Sequence, residues 1–124
     1  MNNEQKHDIL LEKADELAWM TYKLTKRFPK SELFGIISQI RRAVLSIPLN
    51  IIEGFARYSL GDHCRFLEIA YGSLKETKYL LYFSLREEYI TQKEYEEIIK
   101  LAEEVGKMLW KKIQTLLRKK QSNQ

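Results

Sequence analysis

Little in this chain suits it to covalent chemistry or to holding a metal. Its one cysteine, Cys64, cannot form an internal disulfide, which agrees with a reducing compartment. His63 stands beside it, and neighbours on a helix point about 100° apart, so a thiolate–imidazole pair would need a partner from elsewhere and both residues read as structural. The other histidine, His7, lies where a helix start frays. The paired Glu-x-x-His motifs of a di-metal carboxylate bundle are missing, as are a phosphate-cradling glycine loop and zinc-ligand spacing. No catalytic residue, metal or cofactor is expected, and the chain does not read as an enzyme. No apolar run approaches the roughly 20 residues that span a bilayer. The opening MNNEQKHDILLEK is polar and acidic where a signal peptide is basic and then apolar, so a cytoplasmic protein without a membrane role is expected.

The two prolines and five glycines are scattered, and no apolar alternation of period two occurs. Strong helix formers dominate, and 124 residues with 44% hydrophobic content fit one core. The reading is a single all-α domain over residues 1–124, with a short polar tail at about 121–124.

A first helix spans about Lys6 to Arg27, with Leu10, Ala14, Leu17, Thr21, Leu24 and Phe28 along one face. Trp19 and Tyr22 fall off that stripe, and Pro29 ends the helix by driving the preceding residue out of the α region. With Ser31 as N-cap, a second helix runs from about Glu32 to Tyr58. Its core stripe is Leu33, Ile37, Ile40, Val44, Ile47, Ile51, Phe55 and Tyr58. Pro48 falls inside this pattern, yet the apolar period resumes in phase at Ile51, so the helix is expected to kink and continue. Phe34, Leu45, Leu49, Ile52 and Ala56 form a second apolar flank, turned roughly 100° to 160° from the first. One bundle cannot readily bury both faces, and apolar residues left together outside mark a protein contact. The second helix is therefore expected to drive self-association. Gln39, Arg42, Ser46, Asn50, Glu53 and Arg57 line its polar face, which an ordinary solvated helix would also present.

Ser59 and Asp62 stand at capping-box spacing and open a third helix, with Phe66 or Leu67, Ala70, Leu74, Thr77, Leu81 and Leu85 inward and Gly72 and Ser73 as small surfaces for close approach. Thr91 and Glu94 form a full capping box for a fourth helix. Tyr95, Ile98, Ala102, Val105, Leu109, Ile113 and Leu116 face its core. Four helices on short loops imply an antiparallel up-down-up-down bundle.

Charge is unevenly placed. Net charge is +4, but Glu87 to Glu104 holds seven acids and two lysines, whereas Lys107 onward holds six bases and no acid. Acids near a helix start and bases near its end complement the macrodipole, which explains part of the pattern. Lys111, Lys112, Arg118, Lys119 and Lys120 continue beyond what one helix end requires, and repetition in an oligomer would build a field able to hold phosphates. The glutamates at 94, 96, 97, 103 and 104 could bind magnesium in a nucleotide-processing bundle only if two groups converged. They fall largely on the outer face and read as solvated.

Gln39-Ile40-Arg41-Arg42-Ala43-Val44-Leu45-Ser46-Ile47-Pro48, then Asn50-Ile51-Ile52-Glu53-Gly54-Phe55, Arg65-Phe66-Leu67 and Gly72-Ser73-Leu74 with Glu76 resemble the signature of a family of four-helix-bundle proteins named for the intervening sequences of bacterial large-subunit ribosomal RNA genes. That family is similar to the accessory variability determinants of diversity-generating retroelements, homopentameric barrels that bind nucleic acid and a reverse transcriptase. The resemblance implies a ring-like homo-oligomer, a pentamer, with the second apolar flank as subunit interface. It also implies RNA contacts at Arg41, Arg42, Arg57 and Arg65, a reverse transcriptase as a candidate partner, and no catalytic residue. Tyr58 and Leu60 depart from the basic or polar residues frequent in relatives, and Leu49 replaces a small residue beside Pro48. Gly54 fits a close helix approach, Glu53 an arginine partner, and Arg41, which projects toward the second flank, an intersubunit ion pair. The expected function is a non-enzymatic RNA-binding accessory protein, and the alternative is a protein-interaction scaffold with no nucleic-acid role.

Overall fold

The Asp8 carboxylate accepts a hydrogen bond from the Leu11 amide at 3.1 Å, an N-cap that starts helix α1, Ile9–Thr25. The computed structural model describes residues 8–122, so the expected start at Lys6, His7 and the last two residues of the polar tail lie outside the described part. Leu10, Ala14, Leu17 and Thr21 are buried as their spacing requires, and Leu11 and Ala18 widen the stripe. Phe28 is buried beyond the end of α1, its ring 5.2 Å from that of Tyr89. Trp19 stays exposed.

The second helix is shorter at both ends than its apolar period suggests. A 3-10 turn, Lys30–Glu32, leads into a π-type turn, Leu33–Ile37, inside which Gly35 leaves the helical range with φ −107° and ψ −116°. Helix α2 proper is Ser38–Phe55 and runs on through the buried Pro48. Ser31 therefore lies in the 3-10 turn and caps nothing. The break at Gly35 takes Leu33 out of phase with the core and leaves it 49% exposed. At the other end, Ser59 adopts an extended backbone so that its hydroxyl can accept from the Asp62 amide at 3.0 Å. The helix cannot reach that far, so Tyr58 is fully exposed and Phe55 only partly covered.

Helix α3, Leu60–Arg86, buries Leu67, Ala70, Leu74, Thr77 and Leu81, while Phe66 and Leu85 are only half-buried. It closes on Glu88 in the left-handed region, φ 61°, where the Tyr89 amide donates to the Ser84 carbonyl. Helix α4, Gln92–Ser122, starts on the expected reciprocal box: Thr91 N donates to Glu94 Oε1 at 2.9 Å, and Glu94 N to Thr91 Oγ1 at 3.1 Å. Arg27 joins it by an ion pair to Glu94, tying the end of α1 to the start of α4. Lys13 and Glu104 repeat this link farther along, so these two glutamates are not merely solvated.

α2 packs most extensively on α3 and α3 on α4, while α1 bridges α2 and α4 more sparingly. Ile40, Val44, Ile47, Ile51, Leu67, Leu74, Leu81, Ile98, Val105 and Leu109 are almost wholly excluded from solvent between the helices. Each large aliphatic side chain buried this way contributes about 1.5–3 kcal/mol. Gly72 is not the close approach expected of it, because a methyl group there would meet open space. Ser73 does serve: its hydroxyl lies 2.8 Å from that of Ser46, which also accepts from Asn50 Nδ2, so a polar chain crosses from α2 to α3. All regular structure among the described residues is helical, and none of those helices is long and apolar enough to cross a membrane.

Candidate nucleic-acid interface

Two facts of local chemistry bring cations together at one end of the bundle. Gly54, in the last turn of α2, lacks a side chain, so the first turn of α3 comes close: a Cβ on Gly54 would lie 2.8 Å from His63 Cδ2. The C-terminal half of α4 then reaches this corner. Lys112 Nζ lies 6.0 Å from the centroid of the Phe55 ring, and Lys120 Nζ would be 3.4 Å from a Cβ placed on Gly61.

Arg57 and Arg65 complete the group. Each guanidinium lies 4.7 Å from the centre of the half-buried Phe66 ring, which attracts cations through its quadrupole and fixes both side chains. Arg57 also donates to Glu53 at 2.8 Å, the arginine partner expected of that glutamate. Arg65 lies 3.9 Å from Asp62. Both carboxylates are exposed, and such pairs exchange easily for another anion. Arg57, in the loop after α2, and Arg65, on α3, thus share one ring, while Lys112 and Lys120 of α4 lie beside Phe55 and Gly61 at the two ends of the same α2–α3 turn. Arg118 and Lys119 extend the group along the exposed last turns of α4.

The other three expected contacts are placed differently. Lys111 lines, together with Lys112, a groove shared with Asp8 and Ile9 of the α1 entry. Arg42 is exposed near Gln39 and Glu76, in the opening turns of α2. At 1.5 Å per residue it stands about 20 Å from the end of the helix that leads to Arg57. Arg41 is anchored inside its own subunit: Nε donates to Thr25 Oγ1 at 2.9 Å and the guanidinium lies 4.7 Å from the centre of the Tyr22 ring. Tyr22 borders Leu45 of the second flank, so Arg41 lies toward that flank, held there by contacts within its own subunit. Sequence reading offered Phe66 or Leu67 for the core, of which Leu67 is the buried one, and missed Phe66 as the platform for two arginines. The Arg-Phe pair at positions 65 and 66 was the available signal.

Under this surface sits His63. Its Nε2 is buried and has no hydrogen-bond partner among the described residues, and burial, reinforced by nearby Lys112, pushes its pKa below the ordinary 6.5, against a weaker opposing pull from Asp8. The folded state therefore binds the proton more weakly than the unfolded chain does. The neutral-histidine contribution to stability is complete above about pH 6.5 and is lost as pH falls from there through the lowered folded-state value. Urea midpoints measured across that range are expected to drop toward acid in the native protein, with a smaller drop in His63→Leu. Equal slopes would show that the imidazole is not held neutral. Burial and the neighbouring Glu68, 3.4 Å from Sγ, push the Cys64 thiol upward, which makes it a poor nucleophile. Among the described residues no three His, Cys, Asp or Glu side chains gather as a metal would require.

The family model described as 23S rRNA-intervening sequence protein matches residues 6–111 of this chain. The chain is also similar to a solved structure, at 1.70 Å, of a protein with unknown function from the S23 ribosomal protein family of Bacteroides thetaiotaomicron VPI-5482. Identity is 32%, the TM-score is 0.77, and the alignment covers 85% of this chain and 98% of the other. No match was found among curated proteins.

Proposed function

Because the chain belongs to the 23S rRNA-intervening sequence protein family, we propose that it is a non-enzymatic, homo-oligomeric accessory protein that holds RNA at its basic end. Contact is through phosphates rather than base edges, and the assembly works in the cytoplasm. The observation that carries this reading is the placement of cations about the α2–α3 turn, with Arg57 and Arg65 on the Phe66 ring and Lys112 and Lys120 of α4 beside Phe55 and Gly61. Guanidinium and ammonium groups on a solvated corner suit phosphates, contacts that position a nucleic acid without reading its bases. The links Arg27–Glu94 and Lys13–Glu104 support an antiparallel course for α1 and α4, as part of an up-down-up-down bundle with α2 bent at Pro48.

Self-association rests on the second flank of α2. Leu49 is 57% exposed, Leu45 is also exposed and Ile52 is half-buried; Ala56 is exposed just past the helix end, while Phe34, cut off by the break at Gly35, lines a groove with Gln39 and Arg42 and is not part of this flank. A ring built through this flank, a pentamer on the strength of the family resemblance, would repeat the basic corner around its axis. A reverse transcriptase fits the same resemblance as a partner. The exposed flank also favours a second reading, a protein-interaction scaffold whose bases only finish α4.

The deciding experiment titrates a labelled structured RNA against the protein across a salt series, with mass from light scattering. Binding is expected to weaken steeply with salt, log affinity falling about 0.7 to 0.9 per phosphate neutralised against log salt. A slope near zero would sink RNA binding and leave the scaffold. Leu45→Glu with Leu49→Glu is expected to reduce the particle to monomer while helical content stays. Unchanged mass would remove the flank as interface.

A further inference from the structure

On the α3–α4 side of the bundle, away from the basic end, lies a second arrangement that neither the expected contacts nor the fold absorbs. Gly106 of α4 faces Leu74 of α3 so closely that a Cβ would meet Leu74 Cδ2 at 3.0 Å. With no side chain at 106, the two helices leave a shallow trough of about 340 Å³. Tyr71, Lys75 and Lys78 line it from α3, and Lys107 and Trp110 from α4. Trp110 is 55% exposed, which leaves much of the largest aromatic side chain open to solvent unless something covers it.

The aromatic and basic residues alternate along α3. Tyr71, Lys75, Lys78, Tyr82 and Arg86 recur at spacings of four, three, four and four, which is one helix face. Lys75 Nζ lies 5.1 Å from the centre of the Tyr71 ring, and the Arg86 guanidinium 5.8 Å from that of Tyr82. Tyr79, beside them, is 59% exposed. None of Lys75, Lys78 and Lys107 is ion-paired among the described residues, and the trough holds one acid, Glu103, against three lysines.

We propose that this trough is a second binding site, for unpaired nucleotides, in which bases stack on Trp110 and Tyr71 while Lys75, Lys78 and Lys107 neutralise the strand's phosphates. A planar base covers an exposed indole face as water cannot, and a chain of stacking rings with interleaved cations is how strands are held without reading their sequence. A protein partner would also cover aromatics, but lysines are depleted from the centres of protein interfaces, and here they surround the rings. The trough is a different surface from the basic end, so either site can exist without the other.

The test compares a labelled single-stranded oligouridine with a fully paired hairpin RNA on the same protein. Oligouridine is expected to quench tryptophan fluorescence. Trp110→Leu should abolish most of that quench and weaken oligouridine by about tenfold, while hairpin affinity and the urea midpoint hold. Lys75→Gln with Lys78→Gln should reduce the salt slope for oligouridine by one to two phosphates' worth, about 0.7 each. Oligouridine binding that is absent, or unmoved by Trp110→Leu, overturns the proposal. A Trp110→Leu protein with lower mass and unchanged oligouridine affinity overturns it in favour of a protein contact. If the native protein binds the hairpin and not oligouridine, the trough fails and the basic end stands. If it binds oligouridine and not the hairpin, with the Trp110→Leu loss in place, the trough stands and the basic end fails.

Discussion

Glutamine at Arg65, Lys112, Lys119 and Lys120 together is expected to lower the salt slope for structured RNA by up to about 3, and its affinity by two or more orders of magnitude at moderate salt. The contributions add. Each cation that touches a phosphate releases condensed counterion when it binds, so removing it lowers the slope by a near-fixed amount and weakens binding most where salt is low. Arg57 is left in place because its guanidinium is shared with Glu53 at 2.8 Å, and its removal would add an unpaired acid to the same corner. Arg65, Lys119 and Lys120 are exposed and Lys112 half-buried, so the bundle should fold unaltered. The same four changes made around Arg42, Lys26, Lys30 and Lys93, away from the corner, should move the slope little. If both sets move it equally, RNA feels only net charge and the basic end has no special standing.

Gly54→Val is expected to be the most damaging single substitution where α2 meets the start of α3. A Cβ alone would come within 2.8 Å of His63 Cδ2 and 3.4 Å of the His63 carbonyl oxygen. The imidazole has little room to swing, because the Phe55 ring is 5.7 Å away and the carbonyl belongs to the first turn of α3. Overpacking of this kind costs about 1–3 kcal/mol, with alanine toward the lower figure and valine, with two further methyls, at or above the upper. Gly72→Ala is the matched control. Its Cβ meets nothing within 4 Å, and alanine is favoured over glycine inside a helix by about 1 kcal/mol, so the urea midpoint should rise. If Gly54→Ala rises with it, the two helices do not meet as closely as the geometry states.

The number of helices and most of their inward faces were legible because each rests on a local period: Leu10 to Thr21, Ile40 to Ile51, Leu67 to Leu81 and Ile98 to Leu116 all repeat at three and four. The reciprocal Thr91 and Glu94 cap was legible for the same reason, as two residues three apart satisfy one helix start. The ends of α2 were not. An apolar period carries on through Leu33 and Tyr58, but Gly35 interrupts the backbone on one side and the Ser59 cap forces it extended on the other. Periodicity records which side chains are apolar, and says little about where the backbone stops supporting the helix. The candidate site divides along a similar line. Basic residues could be found in order along the chain, but that Lys112 and Lys120 reach Phe55 and Gly61, while Arg41 turns back to Thr25 and Tyr22, depends on how separate helices lie against each other. The Tyr71, Lys75, Lys78 and Tyr82 stripe was present in the sequence at helical spacing, but its meaning required Trp110 and Gly106 from the other helix.

The uneven packing of the four helices also bears on the order in which they assemble. α2 and α3 are neighbours in sequence, joined by a turn of a few residues, and they share the most extensive contact in the molecule as well as the Asn50, Ser46 and Ser73 polar chain. Little loop-closure entropy opposes that hairpin, so it is the natural folding nucleus, with α4 adding next along α3. α1 meets α2 and α4 over less surface, and such weakly packed units open first under native conditions. Amide exchange in α1 should then outpace that in α2 and α3, and the Trp19 and Leu45 surface where α1 borders α2 would be the first part of the bundle to loosen.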